Sequence, residues 1–414
     1  MLKTILVTLI LFLLGSCSGT QKPRQQEIPP AAAIRTSPAV TPEVGTEPPY
    51  APANPLAQPS GTFPRSPQLE TQVAFWRNVY SRWNHGQVAL HDNKFMGLVY
   101  EVIELPGAIK DSYTPEQEQL VKDKRMQLQA QLDELDQKIR TGAPLNAHEN
   151  ALALKIAQSA GSRSAIQGSS ERVRAQRGLR ERFKRGLEIS GRYHRAISDI
   201  FRNAGLPEDL AYLPHVESSF QTNAKSSVGA TGIWQFTGPA AKTFMNVDES
   251  IDERLDPVIA THGAARYLKH AYNKLGSWPL ALTSYNHGIG GISKAKERYG
   301  HDFDRMVKEY DGPQFGFASR NFYAEYLAAR DIALQPQLYF PEGVMYERPL
   351  EHKRITLDNN LFASDIARKY QVDLTTLIAI NPAWSDKTRA GRIALAAGTQ
   401  IWLPARNNWQ SSSN

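Results

Sequence analysis

The residue in this sequence best suited to do chemistry is Glu217. It lies in "LPHVESSFQTNAKSSVGATGIWQF", Leu213 to Phe236, and no other Asp or Glu appears until Asp248. Pro207, Glu208 and Asp209 are good first-turn residues for a helix. Leu206, Leu210 and Leu213 then repeat at helical spacing, and Glu217 takes the next position of that stripe. Its carboxyl therefore points to the core side, with Pro214 expected to kink the helix just before it. Desolvation without a neighbouring charge raises a carboxyl pKa. An acid that stays protonated near neutral pH can protonate the oxygen of an ether-like bond. The structural alternative is a buried Glu satisfied by local caps.

Further residues add to the set. Gly229, Gly232 and Gln235 form G-x-x-G-x-x-Q, a tight turn followed by a polar side chain. Trp234 and Phe236 flank the glutamine, and aromatic faces suit sugar rings. "SYNHGIGGI" sets Tyr285 and Asn286 before a glycine-rich turn. Each alone is commonplace: a Gly loop is usually a turn, and a Trp usually packs in a core.

Taken in order, Glu217-Ser218, Ser226, Gly229 to Gln235 and Tyr285-Asn286-His287-Gly288 resemble the soluble-lytic-transglycosylase family, relatives of goose-type lysozyme, over roughly residues 200–335. The resemblance implies a lysozyme-like α-helical catalytic domain. It also implies cleavage of the β-1,4 bond between N-acetylmuramic acid and N-acetylglucosamine in peptidoglycan, leaving 1,6-anhydromuramic ends. Glu217 would be general acid and then base. Ser218, Ser226, Gln235 and Tyr285 would contact the saccharide, and Asn286 would orient glycan or Glu217. Many relatives carry E-T-x-x-Y late in the domain, with its tyrosine near the glutamate. Here "ASRNFYAEYL" puts Phe322 at that position with Tyr323 adjacent, so Tyr323 is the candidate for the contact. A hydrolytic muramidase would need a second acid to position water. Asp248, Asp252 and Asp256 are candidates by nearness in sequence. A non-catalytic wall-binding lipoprotein is the alternative from another class.

The rest of the chain must position and deliver this set. It has 414 residues, net charge +7 and one cysteine, so no disulfide forms within it. Residues 1–16, "MLKTILVTLILFLLGS", have a basic start, a short apolar run and small residues, as an export signal does. Leu14-Gly15-Ser16-Cys17 resembles the bacterial lipobox, which implies lipidation of Cys17. Ser18 then suggests an outer-membrane protein facing the periplasm. Export turns the basic balance away from nucleic acid and toward an anionic wall polymer or membrane.

Residues 17–67 read as a proline-rich tether; 12 of the 26 prolines lie in 18–67. Its reach is about 40 Å as a coil and about 150 Å as stretched polyproline. Residues 68–200 read as a helical N-terminal region. Within it "FMGLVYEVIEL" is taken as helix from its context, and Thr114-Pro115-Glu116-Gln117 as a capping box opening a helical hairpin that turns at Gly142. Residues 171–202 hold nine Arg and one Lys against four acids. They form either a solvated helix face or a surface for an anionic polymer. Residues 201–345 are the catalytic domain.

Residues 351–404 give the order βααβ. "DIARKYQVDLTTLIAINP" and the closing "GTQIWLP" resemble a LysM domain, which implies binding of N-acetylglucosamine polymers. The usual Gly-Asp-Thr-Leu turn is replaced by Asp358-Asn359-Asn360-Leu361, and the stretch from Asn381 to Gly398 is long. Residues 405–414 are a polar tail. The fold class expected is mainly α with one small βααβ domain. The ten histidines show no ligand spacing, so no metal and no cofactor are expected.

Overall fold

Side-chain caps and αL glycines set many of the helix ends in this chain, and a computed structural model describes the result for residues 61–405. Cys17, the leader, most of the tether and residues 406–414 of the tail lie outside the described residues. Ser66 caps α1 (Pro67–Arg77), which runs into a π-helical turn at Asn78–Arg82. Strands β1 (Gln87–Asp92) and β2 (Val99–Glu104) follow. Thr114 and Gln117 exchange both bonds of a capping box at the start of α2 (Pro115–Thr141), which stops at Gly142 in the αL conformation. Asn146 and Glu149 do the same for α3 (Ala147–Ala160). Strand β3 (Val173–Arg177) leads into α4 (Arg180–Asn203).

The next helices are α5 (Leu213–Glu217), α6 (Gly238–Phe244), α7 (Pro257–Leu275), α8 (Trp278–His287) and α9 (Ile289–Tyr299). They are followed by α10 (Phe303–Glu309), α11 (Phe317–Leu334) and α12 (Pro336–Tyr339). The last unit is β4 (His352–Thr356), α13 (Ala363–Lys369), α14 (Leu374–Ile380), α15 (Asp386–Arg389) and β5 (Gln400–Pro404). The described residues are thus mainly α, with a βα…αβ unit at the end.

The segment expected as helix in "FMGLVYEVIEL" is instead a strand. β2 pairs antiparallel with β1, and β1 with β3, in the order β2-β1-β3. A turn organised by Asp92, whose Oδ1 accepts from the backbone of Lys94 and Phe95, folds β2 back. Partners distant in sequence decided the structure, because a short apolar run fits either period. The N-terminal region is therefore mixed.

The cores also divide differently from the domains expected. One apolar cluster holds α1 together with α4 to α11, from Phe63 to Val344. A second joins the sheet to α2 and α3, and a third fills the C-terminal unit. A boundary at residue 200 would cut α4, whose Phe183, Leu187, Ile197 and Phe201 pack in the first cluster. Residues 84–177 are better described as a sheet-and-hairpin unit set into the main helical body.

The long stretch after Asn381 acts as a fastener. Trp384 forms a β-bridge with Ile251, the Ser385 backbone N–H donates to Ser250, and the Thr388 hydroxyl donates to the same carbonyl. Asn381 itself clips α14 to β5, donating to Leu377 and Trp402 carbonyls and accepting from the Trp402 N–H.

Candidate active site

The stripe that ends on Glu217 forms as expected, with one refinement. Residues Glu208–Tyr212 wind as a tight 3₁₀ turn, and α5 begins beside Pro214. The change of helix type takes the place of a kink. Ser219 and Phe220, at φ 52° and 56°, enter the left-handed region and end the helix immediately after Glu217. Gly186 of α4 allows this reversal to sit close, because a Cβ there would stand 2.7 Å from the Ser219 carbonyl oxygen.

Glu217 is 3% exposed, and neither carboxyl oxygen has a hydrogen-bond partner. Burial pushes its pKa well above the usual carboxyl range, and the neighbouring Glu325 charge pushes it further. Glu325, on α11, is 1% exposed. The Tyr80 hydroxyl lies 3.5 Å from its Oε2, while Oε1 has no partner. Burial raises the Glu325 pKa to about 8, against the lowering effect of the Tyr80 hydrogen bond. Two carboxyls therefore sit close together, both favoured as neutral acids. His215 is also fully buried, stacked on Phe183 with ring centroids 5.1 Å apart, and burial holds it neutral.

Sequence reasoning missed Glu325, Tyr80 and His215. The signal for Glu325 was available: "YAEYLAA" holds one acid in an apolar helical run, the same cue that singled out Glu217. Tyr80 carried no local signal, since it meets Glu325 across 245 positions.

Glu217, Ser218 and Glu325 line a cavity of about 300 Å³, together with Tyr80, Arg174 and Arg182. Ser226, Gln235, Tyr285, Asn286 and Tyr323 are not among the residues that line it. Ser218 Oγ donates to the carbonyls of Pro214 and Ile233, bracing the helix end. Ser226 Oγ accepts from the Ala230 N–H and closes a turn. Gln235 takes a left-handed φ of 48°, donates to Gly232 and Ala224, and keeps a buried Oε1 without a partner. Gly232 before it must be glycine: its φ is +76° and a Cβ would collide with the Arg254 carbonyl. The Tyr285 hydroxyl donates to Trp234 at 2.8 Å, and the Glu217 charge contributes, after burial, to a raised phenol pKa. Asn286 accepts from Ser319 and leaves its Nδ2 buried and unpaired.

Tyr323 is fully buried and donates its hydroxyl to the Pro64 carbonyl at 3.0 Å. Its hydroxyl is taken up there, and the phenol on which both Glu217 and Glu325 bear is Tyr80. The three aspartates are occupied elsewhere. Asp248 binds the backbone and hydroxyl of Ser250, Asp252 pairs with Arg254, and Asp256 caps α7. Among the described residues no group of three His, Cys, Asp or Glu could hold a metal ion.

The arrangement offers a neutral carboxylic acid at the wall of a cavity. Such a group can give a proton to a leaving oxygen and then take one back.

Parts of the chain are similar to known proteins. A stretch of 102 residues is 33% identical to membrane-bound lytic murein transglycosylase D of Escherichia coli K12, covering 24% of this chain and 22% of the relative. Another of 96 residues is 35% identical to membrane-bound lytic murein transglycosylase F of Shewanella loihica, covering 21% and 19%. The chain thus matches only about a fifth of the length of these relatives. The 70 kDa soluble lytic transglycosylase of Escherichia coli superposes with a TM-score of 0.31 at 15% identity, over 53% of this chain and 44% of that one. Residues 198–306, the segment that carries Glu217, Gln235 and Asn286, match the family model of the transglycosylase SLT domain.

Proposed function

We propose that this chain is a peptidoglycan lytic transglycosylase with Glu217 as its acid and base. The observation that carries the reading is the Glu217 carboxyl itself, buried at the cavity wall with both oxygens unpartnered. An unpaired buried polar group costs stability, roughly 1–3 kcal/mol, and such groups are kept where they act. The neutral acid protonates the glycosidic oxygen between N-acetylmuramic acid and N-acetylglucosamine. The muramic acetamido group stabilises the charge developing at C1. Glu217, now a carboxylate, removes the proton of the C6 hydroxyl, and that oxygen closes on C1 to give the 1,6-anhydro ring. The nucleophile is part of the substrate, so proximity favours it over water. Ser226, Gln235, Tyr285 and Asn286 support the loops that would hold the sugar.

A muramidase is the second reading, and Glu325 is the observation that favours it. It is a second acid in the same cavity, where the three aspartates are not. Digestion of sacculi in heavy-oxygen water separates the two. Unlabelled anhydro ends support the transglycosylase; labelled reducing ends would make it a hydrolase, for which Glu325 is the candidate second carboxyl.

The relatives' names include membrane-bound proteins, and among the described residues no helix is long and apolar enough to cross a membrane. Attachment through a lipid on Cys17, on the periplasmic side of the outer membrane, fits both. Cys17→Ser should leave the protein out of the membrane fraction. The C-terminal unit is proposed to bind glycan as LysM domains do, and binding of the isolated unit to chitin oligomers tests it.

A further inference from the structure

The arginines of residues 171–202 have different partners, and the difference points to a ligand. Arg172 pairs with Asp92, and Arg177 donates to the carbonyls of His85, Lys110 and Asp111. Arg180 binds Glu342, Arg185 and Arg192 share Glu347, and Arg202 holds Glu208. Arg195 is exposed. Arg174 and Arg182 differ from all of these. Both are half-buried, both line the Glu217 cavity, and neither has a hydrogen bond or ion pair among the described residues.

Arg174 lies on β3 and lines the cavity, next to Val173, which is buried in the sheet core. Its guanidinium lies over the Phe317 ring, 4.0 Å from the centroid, so its orientation is fixed. Its Nε is buried without an acceptor. The charge that bears on it from outside is another cation, Arg125. The acid that bears on Arg182 is Asp111, an exposed residue that also lines the cavity. Glu118, exposed as well, lines it too. The inner acids, Glu217 and Glu325, do not neutralise the arginines, because burial favours their uncharged forms. A half-buried cation without a partner is unfavourable unless an anion arrives. A planar fork of donors matches the two oxygens of a carboxylate.

We infer that Arg174 and Arg182 form a carboxylate-binding subsite in the wall of the Glu217 cavity, which receives the acidic substituent of the muramic residue undergoing cleavage. This rests on the proposed function, which places such a residue at Glu217. The substituent is a lactyl ether, ending in a free carboxyl or extended by a peptide stem with carboxylates of its own. The subsite would make the strand's side groups, not only its sugars, part of what is recognised.

The test uses three ligands: peptide-bearing strands, strands stripped of peptide by an amidase so that the lactyl carboxyl is free, and uncharged N-acetylglucosamine oligomers. Turnover of the strands and binding of all three are measured for wild type, Arg174→Gln, Arg182→Gln and Arg174→Lys, with melting temperatures to verify folding. Each Gln variant should weaken binding of acidic strands roughly tenfold, the value of one charge-assisted hydrogen bond. It should also raise KM more than it lowers kcat, with partial recovery in Arg174→Lys. Loss confined to peptide-bearing strands assigns the stem carboxylates; loss on both acidic strands with oligomer binding retained assigns the lactyl carboxyl. Unchanged binding of acidic strands, or equal weakening for uncharged oligomers, overturns the subsite. Arginine-dependent binding without turnover in wild type would overturn the enzymatic reading and keep the subsite; turnover without arginine dependence does the reverse.

Discussion

Two buried acids in this molecule have opposite surroundings. Asp256, at the seam between the helical body and the C-terminal unit, is 2% exposed. It accepts from the backbone of Val258 and Ile259 and from the Trp402 indole. Glu217 is 3% exposed and accepts from nothing. Burial is therefore the same and satisfaction is not. At the seam a carboxylate is used to cap α7 and to hold β5. In the cavity a carboxyl is kept without partners. Under the proposed function, what separates a structural acid from a chemical one here is the list of its donors.

The comparison breaks first if Glu217 proves to be structural. Glu217→Gln keeps the shape and removes the proton, and the rate of glycan cleavage should fall on the order of 10² to 10⁴-fold with strand binding retained. Full turnover by this variant would place Glu217 with Asp256.

The acid pair also makes stability depend on pH. Glu325 titrates near 4.5 when unfolded and near 8 when folded. Below pH 4.5 both states hold the proton, so the favourable burial of the neutral acid is fully present. From 4.5 to 8 the unfolded state ionises first, and the contribution of Glu325 falls by a few kcal/mol as pH rises, levelling above 8; Glu217, also raised by burial, adds a fall of the same sign. Denaturant titrations at pH 5 and 8 measure this. Glu325→Gln should flatten the slope, and above pH 8 it should also lower the Glu217 pKa by removing a like charge. A slope that persists unchanged would show that the pair is not buried as described.

At the seam the effects are smaller. Asp256→Ala removes a cap and the Trp402 partner, and should cost about 2 kcal/mol in unfolding free energy while leaving kcat in place below the melting transition. The neighbouring Lys387–Glu249 pair is exposed on both sides. Lys387→Ala should change stability by less than about 0.5 kcal/mol, because solvent screens such pairs. A larger loss would mean that the seam depends on charge more than on its buried bonds.

The readable parts of this molecule were those written locally. Thr114 to Gln117 contain a capping box in four consecutive residues, and Leu206, Leu210, Leu213 and Glu217 mark one helix face by spacing alone. The strand at Val99–Glu104 was not readable in that way. Its apolar run fits two periods, and its strand state depends on pairing with β1, whose other edge takes β3 from much later in the chain. Tyr323 was assigned by its place beside Phe322, but helix rotation turns its hydroxyl to Pro64. Glu217 could be picked out from its neighbours in sequence. Its partner Glu325 and the Tyr80 hydroxyl come from separate helical segments that only the packed core brings together.

The cavity wall has a consequence for inheritance. Trp76 and Tyr80 come from the start of the described chain, Arg174 from β3 and Glu325 from α11, all outside residues 198–306. A fragment excised at the borders of that match would carry the acid but lose the wall and the helix that hold it neutral. The portion that could be grafted into another protein with its chemistry intact is therefore larger than the portion by which kinship is recognised.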